Sequence, residues 1–108
     1  MSGITTHVLD TSLGKPATDV PIKLELRSGD GSWRVIGRGA TDADGRLRTL
    51  TELDIEAGTY RLTFDTQAYN ADGFFPEVSI TFVVTDPAAH YHVPLLLSPF
   101  GYSTYRGS

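Results

Sequence analysis

The chain reads as an all-β protein, a two-sheet antiparallel β-sandwich with one short helix. Three observations predict this. Turn-forming clusters recur roughly every eight to twelve residues, the segments between them alternate apolar and polar side chains, and only Thr66 to Asp72 has a helical character, for about two turns. At 108 residues the length predicts a single domain, 1–108, with room for one core.

Taken in order, the strands are expected at Ile4 to Asp10, Val20 to Arg27, Trp33 to Ala40, a short piece at Arg46 to Thr49, Thr59 to Asp65, Glu77 to Thr85, Tyr91 to Ser98 and Tyr102 to Arg106. The separators carry turn chemistry: Leu13-Gly14-Lys15-Pro16, Ser28-Gly29-Asp30-Gly31, Asp42-Ala43-Asp44-Gly45 and Thr85-Asp86-Pro87. In the first strand Ile4, Thr6 and Val8 share one face, and Thr5, His7 and Leu9 the other. Near the end of the chain Tyr91, Val93, Leu95 and Leu97 form the core stripe. The opposite face is then His90, His92, Pro94, Leu96 and Ser98, apolar enough to need cover yet carrying two imidazoles. A strand with both faces worth burying belongs at an interface.

Composition narrows the function classes. A formal net charge of −4, with nine scattered Lys and Arg, leaves no basic footprint, so no nucleic-acid partner is expected. The absence of cysteine removes disulfides, thiolate metal sites and cysteine nucleophiles. No apolar run approaches the roughly 18 residues of a membrane span, and Met1 to Asp10 lacks a leader pattern, so a cytoplasmic protein without a membrane partner is expected.

The chemistry-bearing residues are few. His90 and His92 lie two apart on one strand face, and an imidazole with a reference pKa near 6.5 can take a proton from water at neutral pH. The same residues with His7 allow a second reading, a three-histidine zinc site with water in the fourth position, although no carboxylate stands beside them in the sequence. Arg46 follows the tight Asp44-Gly45 turn directly. Arg27, Arg34, Arg38, Arg48 and Arg61 read as solvated surface charges, and no nucleophile elbow or phosphate-cradling glycine loop is present.

The segments Thr6-His7-Val8-Leu9-Asp10, Gly14-Lys15-Pro16-Ala17, Val20-Pro21, Thr41-Asp42 with Asp44-Gly45-Arg46, His90-Tyr91-His92-Val93-Pro94-Leu95-Leu96-Leu97-Ser98-Pro99 and Tyr105-Arg106-Gly107-Ser108 follow one another through the whole chain. In that order they resemble the 5-hydroxyisourate hydrolase family, the transthyretin-related enzymes of purine and urate degradation. Transthyretin itself, the carrier of the same fold, has lysine, glutamate and threonine where His7, Arg46 and His92 stand here, and it lacks the closing tetrapeptide. The resemblance therefore implies an enzyme, with the transthyretin-like ligand carrier and the zinc hydrolase as the alternatives. It implies a transthyretin-like (prealbumin-like) sandwich assembled as a homotetramer, a dimer of dimers, with sites in a channel between dimers. It implies His7, Arg46 and His92 as catalytic residues, Tyr105, Arg106, Gly107 and Ser108 as substrate-binding residues, and neither metal nor cofactor. His90 falls outside the implied catalytic set. The implied reaction is hydrolytic opening of the six-membered ring of 5-hydroxyisourate to 2-oxo-4-hydroxy-4-carboxy-5-ureidoimidazoline.

Overall fold

Period-two burial organises the structure, a computed structural model that describes residues 3–51 and 53–107. The first sheet contains β1 (Gly3–Asp10), β2 (Lys15–Pro16), β5 (Arg46–Leu47), β8 (His90–Leu97) and β9 (Tyr102–Thr104). The second contains β3 (Pro21–Arg27), β4 (Trp33–Ala40), β6 (Gly58–Phe64) and β7 (Val78–Val84). The order is β2-β1-β8-β9 in the first sheet, with β5 also on β1, and β4-β3-β6-β7 in the second. Along β1, Ile4, Thr6, Val8 and Asp10 are buried while Gly3, Thr5, His7 and Leu9 are only half-buried. Val8, Leu24, Tyr60, Leu62, Phe64 and Leu95 are fully buried and fill the space between the sheets, as expected for a sandwich whose apolar faces meet.

The expected strands are all present, with shifted ends and one addition, the two-residue β2 inside the Leu13 to Pro16 turn. The pairing holds one departure from a purely antiparallel plan: β1 and β8 run parallel, from Gly3↔His90 to Asp10↔Leu97. A parallel pair needs a long crossover, and here everything from β2 to β7 supplies it. This pairing sets Thr5 beside His92 and His7 beside Pro94.

The helix α1 (Thr66–Tyr69) makes one turn where two were expected. Asp65 caps its start by accepting from the Ala68 N–H (3.1 Å). Asn70 ends it: its backbone is extended, and its side-chain oxygen accepts from the Asp72 N–H (3.2 Å), a local bond that competes with helix continuation. The Tyr69 hydroxyl donates to Asp10 Oδ2 (2.6 Å) and pins the helix to the end of β1. Burial together with that bond pushes the Tyr69 phenol up to about 12.

Candidate active site

Arg46 reaches the site through turn chemistry. Asp42 Oδ1 accepts from the N–H groups of Asp44 (2.8 Å) and Arg46 (3.0 Å), and Gly45 closes the turn at φ 73°, a region that favours glycine. The Gly45 carbonyl then accepts from the Val8 N–H (2.7 Å). A side chain at this position would start 2.5 Å from the Val8 carbonyl oxygen. Glycine therefore lets the turn lie flat on β1, and the next residue, Arg46, pairs directly with His7.

His92 arrives from β8. The Thr5 hydroxyl lies 2.8 Å from His92 Nδ1 and 2.9 Å from His90 Nε2, within hydrogen-bond distance of both. His92 is half-buried and His90 exposed. Burial, then the positive charge of Arg46 and the nearby His7 and His90, hold the His92 imidazole below its ordinary value, so its neutral form persists into mildly acid solution.

The C-terminal segment completes the wall. The β8–β9 ladder runs as far as Leu95↔Thr104, stops at Pro94, which has no N–H to give, and touches again at a single bridge, His92↔Gly107. Thr104 Oγ1 donates to the Pro94 carbonyl at the break (2.7 Å). Beyond it Tyr105 and Arg106 leave the ladder, so the last strand ends at Thr104 rather than at the expected Arg106. Gly107 donates to the His92 carbonyl (2.8 Å), and a Cβ there would lie 2.6 Å from His92 Cδ2. The glycine is the space the imidazole occupies.

These elements enclose an open cleft of about 620 Å³ lined by Gly3, Thr5, Thr6, His7, Arg46, Arg48, His90, His92, Tyr105 and Gly107. His7, Arg46, His92, Tyr105 and Gly107 thus come together. Arg106 does not: its guanidinium lies over the Tyr91 ring, 4.6 Å from the centroid, in a groove with Ile80, Val83 and Val93. Ser108 lies outside the described residues. Pro94, expected to need a neighbouring subunit for cover, is already buried within the chain. Among the described residues no three His, Asp or Glu side chains stand together as a metal-ligand set, and the facing nitrogens of His90 and His92 are both directed at Thr5 instead. Five lining residues, Gly3, Thr5, Thr6, Arg48 and His90, lay outside the expected set. Thr5 shares the His7 face by alternation, which was its only signal. Arg48, read as a solvated charge, lines the cleft and pairs with Asp42 (3.4 Å).

The model of the HIUase/Transthyretin family matches residues 4–107. The chain belongs to this family. Among relatives, the uric acid degradation bifunctional protein TTL of Arabidopsis thaliana is 50% identical over 119 residues, covering 97% of this chain, which spans 37% of that longer protein. The 5-hydroxyisourate hydrolase of Caulobacter vibrioides is 44% identical over 117 residues and the whole of both chains. Among family structures, Klebsiella pneumoniae 5-hydroxyisourate hydrolase superposes with a TM-score of 0.86 at 38% identity over all of both chains. Sea bream transthyretin in complex with thyroxine gives 0.89 at 37% identity, covering 96% of this chain and 93% of that one. Backbone likeness therefore does not separate the family's enzymes from its carriers, and the discrimination falls to the side chains in the cleft. No helix among the described residues is long and apolar enough to cross a membrane.

Proposed function

We propose that this chain hydrolyses 5-hydroxyisourate, opening its six-membered ring at an amide bond to give 2-oxo-4-hydroxy-4-carboxy-5-ureidoimidazoline. The observation that carries the reading is a cleft containing His7, Arg46 and His92 and no described carboxylate. An imidazole held neutral by burial accepts a proton from the attacking water, and a guanidinium without a described acidic partner stabilises the charge that develops on the carbonyl oxygen. His7 and His92 both front this space, and either can act as the base. Tyr105 and Gly107 form the substrate-facing end of the cleft, while Arg106 anchors the segment by stacking on Tyr91. A carrier would have little use for an imidazole and guanidinium cluster of this kind. The relatives' names support the same reaction.

The cleft is open in the single chain, and edge strands β7 and β9 have no further strand beside them among the described residues. Val83 on β7 is 60% exposed. Both features support a homotetramer, a dimer of dimers in which subunits cover these edges and close the cleft into a shared channel. Four chains of 11.7 kDa would scatter light as roughly 47 kDa.

The test is an ultraviolet assay with freshly generated 5-hydroxyisourate, its spontaneous decay recorded alongside. Chelator-treated protein is expected to accelerate loss of the substrate. Decay at the spontaneous rate, with and without added zinc, would refute the hydrolase reading, and rescue by zinc alone would replace it with the metal-dependent alternative.

A further inference from the structure

We propose that the Thr5 hydroxyl couples His92 to His90 as a proton relay, so that His92 serves the reaction by cycling between its two neutral tautomers while the transient positive charge sits on His90. The proposal rests on the hydrolase reading and adds two residues, Thr5 and His90, to its machinery.

The argument begins with a count of protons. Thr5 Oγ1 is within hydrogen-bond distance of one nitrogen from each ring, yet a hydroxyl carries a single proton. It donates to one imidazole and accepts from the other, so the rings cannot choose tautomers independently. In the arrangement that leaves His92 Nε2 bare, His92 Nδ1–H donates to Thr5 Oγ1 and the hydroxyl donates to His90 Nε2.

From that state the transfer balances. His92 Nε2 takes a proton from the nucleophilic water, the Nδ1 proton passes to Oγ1, and the hydroxyl's own proton passes to His90 Nε2. Thr5 ends as it began, His92 is neutral with its proton on Nε2, and His90 is the imidazolium. When His92 Nε2–H protonates the departing ring nitrogen, the relay runs backwards and restores the first state. Overall one proton has moved from water to the leaving nitrogen.

The surroundings favour this division of labour. Among the described residues, the groups facing His92 are His7 from β1, Arg46 from β5 with Arg48 beyond it, His90 on its own strand and Tyr105 from the terminal segment. None of them is a carboxylate that could stabilise a cation there. His90 is exposed, so water can solvate its charge. Thr5 is held by the parallel register that pairs it with His92, and its β-branched side chain has few rotamers in which to wander.

The test combines NMR shifts of the ring nitrogens of substrate-free protein with kinetics of Thr5→Val, which keeps the shape and removes the hydroxyl, and Thr5→Ser, which keeps the hydroxyl. In the wild type, protonation of His90 is expected to switch the tautomer of His92, and Thr5→Val is expected to abolish that coupling. Thr5→Val should lower kcat by about 10²-fold, the lower end of what a positioned base contributes, with little change in KM, and Thr5→Ser should recover most of it. A Thr5→Val protein with unaltered kcat, a Thr5→Ser protein as damaged as Thr5→Val, or a His92 tautomer indifferent to His90 would overturn the relay. The spectra need no substrate. Coupled tautomers in a wild type that does not consume 5-hydroxyisourate would therefore sink the hydrolase reading and leave the relay, whereas an active wild type with uncoupled rings would do the reverse.

Discussion

The two sheets treat their cations in opposite ways. On the face of the second sheet turned away from the core, Arg61 Nε donates to Glu25 Oε1 (2.9 Å), and its guanidinium stacks over Trp33, 4.2 Å from the ring centroid. Glu25 is only 5% exposed, so a buried carboxylate and its cation answer each other in full. On the cleft face of the first sheet, Arg46 has no described carboxylate within ion-pair distance and looks instead at imidazoles. A cation whose charge is matched inside the fold keeps its partner carboxylate from being left buried and uncompensated. One that is left unmatched in a cleft is available to a ligand or to a charge that appears during reaction.

The comparison breaks most severely at its cleft side. His92→Asn and Arg46→Ala are each expected to reduce kcat/KM for 5-hydroxyisourate by about 10²- to 10⁴-fold, as loss of a base or an oxyanion partner does, with the far-ultraviolet circular dichroism unchanged. Gly107→Ala should come next. Its new methyl begins inside the His92 ring's space, and since a displacement of about 1 Å can cost about 10²-fold in rate, a large loss is expected with every catalytic side chain still present. If Gly107→Ala is fully active, the terminal segment does not position His92.

Most of this contrast was legible in the sequence on one side only. That Arg46 directly follows a tight turn could be read because the Asp42 to Gly45 turn is local, whereas its place beside His7 depends on the β1–β5 pairing and its role came only from the family resemblance. The His92 face could be read because alternation is also local. The matched pair on the other sheet could not. Glu25 and Arg61 are 36 residues apart and meet only through the β3–β6 register, so Arg61 read as a solvated charge. The same limit hid Thr5: its face was visible, but its two histidine partners depend on a parallel pairing that joins the start of the chain to β8. The end of the last strand was missed for a related reason. What stops it is Pro94 on the neighbouring strand, which nothing in Tyr102 to Arg106 announces.

A smaller effect, confined to stability, is expected on the scaffold side. Arg61→Met would leave the buried Glu25 carboxylate without its charged hydrogen bond, at a cost of roughly 1.5–3 kcal/mol, while turnover per folded molecule stays the same. The Arg61 hydrogen bond, against a smaller opposing contribution from burial, holds the Glu25 carboxyl below its ordinary 4.5. Its pairing therefore stabilises the fold above about pH 4.5 and is lost as pH falls through the lower folded value. Urea unfolding of wild type and Arg61→Met should accordingly diverge at neutral pH and converge in acid. A loss of turnover equal to that of Arg46→Ala would erase the distinction between the two faces.

The finest test is the titration of His92 itself, because it measures the unmatched charge directly. Burial is the larger cause of its depressed value and Arg46 the next, so its midpoint in wild type should lie below 6.5, read from the ring-proton NMR shift. Replacing Arg46 by Gln removes the second cause and leaves the first, and the midpoint should rise while staying short of a free imidazole. The sign extends to stability. Between the depressed folded value and 6.5 the unfolded chain binds more protons at this position, so His92 penalises the folded state in acid, and the penalty disappears as pH rises to about 6.5. Arg46→Gln should then lessen the acid destabilisation even as it sharply lowers turnover. An unmoved midpoint would mean that Arg46 and His92 do not sense one another, and with that the electrostatic case for a shared catalytic cleft would fail.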